Sequence, residues 1–124
     1  MYSRRSSTQT RADREKPTIA SFILIVHVTF SSKKVKEDFK VLYAEEAEFC
    51  RKSEANTLSY ELALSDRDEL AGVIIERFRS KDDYLSHKES SVFKRYREKL
   101  KKLEESGDVK LNGQSYYQSN LGYF

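Results

Sequence analysis

The hydrophobic pattern of this chain switches between a two-residue and a helical period in the order strand, helix, strand, strand, helix, strand. Few folds accept that order. Ile19–Phe30 reads as the first strand, with Phe22, Leu24, Val26, Val28 and Phe30 on one wholly apolar face. Ser21, Ile23, Ile25, His27 and Thr29 fall on the other. Ser31 or Ser32 caps a helix running to about Lys52, with Val35, Phe39, Leu42, Tyr43, Phe49 and Cys50 at helical spacing. Glu37, Glu45, Glu48 and Arg51 take its outer face. Thr57–Leu64 alternates, placing Leu58, Tyr60, Leu62 and Leu64 together, and the polar turn Ser65–Glu69 joins it to a strand at Leu70–Arg79.

Ser80, with an acid three residues on, comes close to a capping box and starts a short helix to about Lys88. A further helix begins near Ser90, presents Phe93, Tyr96, Leu100 and Leu103 on one side, and stops at Gly107. Val109–Tyr117 is the last strand, in which Asn112-Gly113 predicts a bulge or a tight hairpin turn. The order is βαββαβ, an α+β ferredoxin-like arrangement with one antiparallel sheet and helices on one of its faces. The other face needs a cover, and a second copy of the chain is the expected one.

Charge excludes some functions. Residues 1–17 hold five basic and two acidic residues and read as a disordered basic leader, leaving a domain at 18–124. The rest of the chain holds eighteen residues of each sign, so it lacks the basic excess that phosphate contacts require. No nucleic-acid partner is expected. No apolar run is long enough for a membrane span, and no membrane partner is expected either. A single cysteine, Cys50, points to a reducing compartment and a cytoplasmic location, with an organelle as the alternative if the leader is a transit remnant. Cys50 itself reads as a buried spectator thiol without an activating base beside it. Two histidines and one cysteine, widely separated, make no standard metal spacing, and no phosphate-binding loop or nucleophile elbow is present.

Asn56-Thr57-Leu58-Ser59-Tyr60-Glu61-Leu62 resembles the second-strand pattern of the antibiotic biosynthesis monooxygenase family. Glu76-Arg77-Phe78, followed by the stretch from Arg79 to His87, resembles that family's strand end and the helix after it that ends in His. Ser90-Ser91-Val92-Phe93 matches the continuation, and the resemblance runs over about residues 19–118. Within the family the small quinol-monooxygenase-like and autoinducer-processing-like members are the most similar. The resemblance implies a homodimer whose two sheets close into an α+β barrel, and a pocket between sheet and helices in each protomer. The haem-degrading branch relies on an Asn, a Trp and a His. Here Val26 and Tyr96 stand near the Asn and His positions and the chain has no Trp, which argues against haem degradation. Phe78 stands where the family more often has Trp.

On the third strand, Glu76 shares a face with Gly72, Ile74 and Phe78, and a carboxylate in an apolar row must be paired or protonated. A Glu76–His87 pair would satisfy both groups and orient the imidazole as a general base, or it would only tie helix to sheet. Tyr60 is a pocket hydrogen-bond donor or a satisfied core tyrosine. Phe39, Leu42, Tyr43, Phe78 and Phe93 are the expected pocket walls, with plain core as their alternative. His27 and Ile25 face the expected dimer interface. Tyr116, Tyr117, Tyr123 and Phe124 form an aromatic tail that packs on the partner, lids the pocket or stays loose. The resulting expectation is a cofactor-free monooxygenase or isomerase acting on a small oxygenated or phenolic molecule. His87 would move the proton, Glu76 would orient it and Tyr60 would donate a hydrogen bond. The alternatives are a non-catalytic dimeric ligand-binding or stress-response module and, last, a purely structural assembly domain.

Overall fold

The computed structural model describes residues 21–123. The expected basic leader, the expected first residues of the first strand and Phe124 lie outside them. Four strands and three helices follow one another among the described residues: β1 (Phe22–Phe30), α1 (Lys33–Ser53), β2 (Thr57–Leu64), β3 (Ala71–Phe78), α2 (Lys81–Glu89), α3 (Ser91–Glu105) and β4 (Val109–Tyr117). The strands form one antiparallel sheet in the order β2-β3-β1-β4. The most apolar strand, β1, is therefore central. Its alternation buries Phe22, Val28 and Phe30; Phe39 and Tyr43 of α1, Tyr96 and Leu100 of α3, and Ile74 and Val109 of the sheet cluster with Val28 and Phe30, while Phe22 meets Tyr84 and Tyr117.

Local chemistry sets the helix ends. Ser32 caps α1 by accepting from the Val35 amide at 3.1 Å. Ser80 caps α2 by accepting from the Asp83 amide at 3.2 Å, and its hydroxyl donates to Asp83 Oδ2 at 2.8 Å. Removing that cap is expected to cost about 1 kcal/mol. Ser80→Ala should lower the midpoint of denaturant unfolding accordingly, and an unchanged midpoint would show that α2 is held by packing alone. Ser90 ends α2 and caps α3 through the Phe93 amide at 3.0 Å. One residue thus fixes the turn between the two helices.

Two sequence expectations are corrected. Asn112-Gly113 makes neither bulge nor turn. β4 runs straight through it, with Asn112 opposite His27 and Gly113 opposite Val26. A Cβ on Gly113 would lie 3.3 Å from Val26 Cγ2, so the glycine accommodates a neighbouring side chain. The alternation of β2 is also interrupted: its register against β3 shifts between Thr57 and Ser59. Leu58 sits at that irregularity and is 46% exposed, away from the core it was expected to join.

The outer face of the sheet carries Ile23 and Ile25 of β1 and Val73 and Ile75 of β3, all half-buried, with His27 exposed beside them. No helix among the described residues is long and apolar enough to cross a membrane.

Candidate functional site

Between the helix-facing side of the sheet and helices α2 and α3 lies a cavity of about 250 Å³. Leu24, Val26, Ile74 and Leu111 give it an apolar floor, and Phe93, Tyr96 and Leu100 form its α3 wall. Glu76 is the one carboxylate of the lining; Lys88 and Arg97 supply positive charge. The strand pairing explains the position of Glu76. It sits between Leu24 of β1 and Tyr60 of β2, with Ile74 and Phe78 two residues either side on the same face. Water reaches little of it, at 6% exposure. Burial drives its pKa up to about 8, the neighbouring Tyr60 hydroxyl opposing and the charges of Glu46 and Glu54 adding to the rise. Burial thus favours the neutral form of this carboxyl.

Tyrosines surround it. Tyr60 stacks on Tyr43, their centroids 5.1 Å apart, and Tyr43 meets Tyr96 edge to face. The hydroxyls of Tyr43 and Tyr60 are buried without a hydrogen-bond partner. Burial raises the pKa of all three phenols, with the Glu76 charge the next cause, so they stay protonated.

His87 belongs to a second polar cluster. Its Nδ1 lies 2.8 Å from Glu54 Oε1, close enough for a strong charge-assisted bond in which the ring N–H donates to the carboxylate. Its Nε2 faces Glu46 Oε2 at 3.8 Å, and Cys50 Sγ stands 3.7 Å from its Nδ1. The thiol also donates to Glu46 Oε2 at 3.7 Å. Burial holds the imidazole below its usual pKa against the pull of Glu54. Burial lifts Glu46 to about 7, with the Cys50 bond opposing and the Glu54 charge adding. Burial also pushes the thiol well above its ordinary value, reinforced by Glu54 and Glu46.

The predicted Glu76–His87 pair does not form, because topology gives His87 closer partners at the C-terminal end of α1. Cys50, read as having no base beside it, lies against both Glu46 and His87. Of the five expected pocket walls, Phe93 alone lines the Glu76 cavity. Phe39 and Phe78 are fully buried core residues and Tyr43 lies in the core beside them. Leu42 lines a separate hollow of about 80 Å³ between α1 and α3. Tyr117 packs edge to face on Phe22 at 5.5 Å, yet it is exposed, as are Tyr116 and Tyr123. Glu46 and Glu54 were missed. Glu46 had a legible signal: it completes the stripe Phe39, Tyr43, Glu46, Cys50, the buried residues of α1. Glu54 follows the last helical turn and had none.

A family profile described as antibiotic biosynthesis monooxygenase matches residues 21–99. No curated protein matches the chain. Among solved structures, a conserved protein of unknown function from Bacteroides thetaiotaomicron superposes with a TM-score of 0.67 at 15% identity, over 81% of this chain and 99% of that one. A candidate antibiotic biosynthesis monooxygenase from Nitrosomonas europaea gives 0.64 at 20% identity, over 77% and 95%. SnoaB, a cofactor-independent oxygenase from Streptomyces nogalater, gives 0.63 at 11% identity, over 77% and 90%. At these identities the likeness is one of fold.

Proposed function

The chain belongs to the antibiotic biosynthesis monooxygenase family, and on that premise we propose that it is a cofactor-independent monooxygenase acting on a small phenolic or quinol-like molecule in the Glu76 cavity. The observation that carries the reading is a single buried carboxylate, of pKa about 8, on an apolar floor in a chamber whose walls also hold Tyr84, Tyr96, Lys88 and Arg97. Glu76 takes the proton from the substrate, the role the sequence had given to His87, because His87 is held by Glu54 and does not line this cavity. The resulting anion is electron-rich and faces Lys88 and Arg97. It reduces dioxygen directly and a carbon–oxygen bond forms. Loss of water from the hydroperoxide leaves a carbonyl, so one oxygen atom ends in the product and the other in water. The substrate supplies every electron, and the protein supplies a base, donors and a dry site. Two copies of the chain associate through the outer sheet face, with Ile25 and His27 at the contact.

The test is oxygen uptake with dihydroxy-aromatic and anthrone-like substrates, with mass spectrometry of the products. A base of pKa about 8 predicts a rate rising close to tenfold per pH unit below pH 8 and levelling above it. Compounds that raise the melting temperature without any oxygen uptake would support the ligand-binding module instead. A rate that falls as pH rises through 8 would remove Glu76 as the base.

A further inference from the structure

Glu46, Cys50 and His87 meet where the C-terminal half of α1 approaches α2, and none of them lines the Glu76 cavity. One donor atom from each lies within 4.8 Å of the others. Glu46 Oε2 stands 3.7 Å from Cys50 Sγ and 3.8 Å from His87 Nε2. Hydrogen bonding leaves this group incomplete. A 3.8 Å separation is too long for an N–H···O bond. Glu46 Oε1 and His87 Nε2 have no partner, although both side chains are only 1% exposed. Buried polar atoms ordinarily find one.

We propose that Glu46, Cys50 and His87 bind a single divalent transition-metal ion, with zinc the best chemical match, through the carboxylate, the thiolate and Nε2. Donors about 2.0–2.3 Å from a tetrahedral ion stand roughly 3.3–3.8 Å from each other; the Glu46–Cys50 and Glu46–His87 separations of 3.7 and 3.8 Å meet the upper end of that range, and Cys50 Sγ, 3.7 Å from Nδ1, turns toward Nε2 to complete the set. A mixed nitrogen, sulfur and oxygen set suits a borderline ion better than magnesium or calcium. Charge agrees as well: one thiolate and one carboxylate neutralise a divalent cation, which makes its burial tolerable. On binding, the Cys50 S–H proton leaves to solvent as the metal–sulfur bond forms. Glu54 completes the arrangement as a positioning residue. By accepting from Nδ1 at 2.8 Å it fixes the tautomer whose free Nε2 faces Glu46. Two hollows border the trio. A hollow of about 330 Å³ is lined by Glu54 and His87, and another of about 400 Å³ by Cys50 and Tyr60. A water from either fills the fourth position. The ion would clamp α1 to α2 beside the proposed catalytic chamber, and its presence is independent of the oxygenation reading.

The full chain, stripped with a chelator, would be titrated with cobalt(II) and then with zinc. One cobalt per chain is expected, with a thiolate-to-cobalt charge-transfer band in the near ultraviolet that zinc abolishes. Cys50 is the only cysteine, so the band can arise at no other residue of the chain. No band with the wild-type protein, or less than one zinc per chain at micromolar metal, overturns the proposal. Cys50→Ser and His87→Gln should remove the band and weaken zinc binding at least about 100-fold, and Glu54→Gln should weaken it about 10–100-fold. Zinc binding that persists undiminished in Cys50→Ser overturns the site. Where a variant fails to fold, the wild-type spectrum decides. Glu76→Gln, which lies outside the trio, should keep full metal binding.

Discussion

Glu76→Gln is expected to lower substrate-dependent oxygen uptake by about 10²- to 10⁴-fold, the usual range for removing a general acid–base group. The fold should survive, because Gln keeps the volume of the side chain at a position already 6% exposed. It should also change how stability depends on pH. The folded carboxyl has a pKa of about 8 against an ordinary value of 4.5, so the folded state prefers the neutral form. The stability tied to that preference is fully present below pH 4.5 and is lost as pH rises through 8. The difference reaches on the order of 4 kcal/mol at alkaline pH. Gln cannot ionise. Wild type and variant should therefore unfold alike near pH 5 and diverge toward pH 9, where the variant is the more stable. Initial rates of oxygen uptake and thermal melts at the two pH values read both effects. An unchanged rate would take the proton-acceptor role from Glu76, and parallel melts would show that water reaches the carboxyl.

The strands were legible because alternation is a one-dimensional signal. Phe22, Val28 and Phe30 could face the helices only together, and Glu76 stood out because it broke an apolar row. That row identified the residue now at the centre of the cavity. Its partner was another matter. His87 lies 33 residues from Glu54 and 37 from Cys50, and only the path of α1 over the sheet brings their ends together. Reading α1 by its apolar residues passed over Glu46, which occupies a core position as an acid. The irregularity near Leu58 and the straight course of β4 through Asn112-Gly113 depend on pairing with β3 and β1. A local sequence window cannot encode either.

Ile25→Glu is expected to convert the proposed dimer into a monomer. Ile25 lies at the middle of the central strand, between Ile75 of β3 and Gln114 of β4, on the face turned away from the core. Ile23, Val73 and Ile75 surround it with apolar surface that the described residues of one protomer leave half-covered. Symmetry then doubles any change there, because a two-fold contact presents the same patch from both sides. Each buried isoleucine contributes about 1.5–3 kcal/mol, and a carboxylate in its place would be buried without a partner. Losing two such contacts should raise the dissociation constant by about 10²- to 10⁴-fold. Sedimentation velocity or light scattering at micromolar protein would read the change, with circular dichroism confirming that the helix-side core is intact. Glu76, Lys88 and Arg97 all come from the same protomer, so a folded Ile25→Glu monomer that still takes up oxygen would separate association from catalysis. A wild-type chain that is already monomeric would leave the outer face as ordinary half-polar surface and remove the barrel.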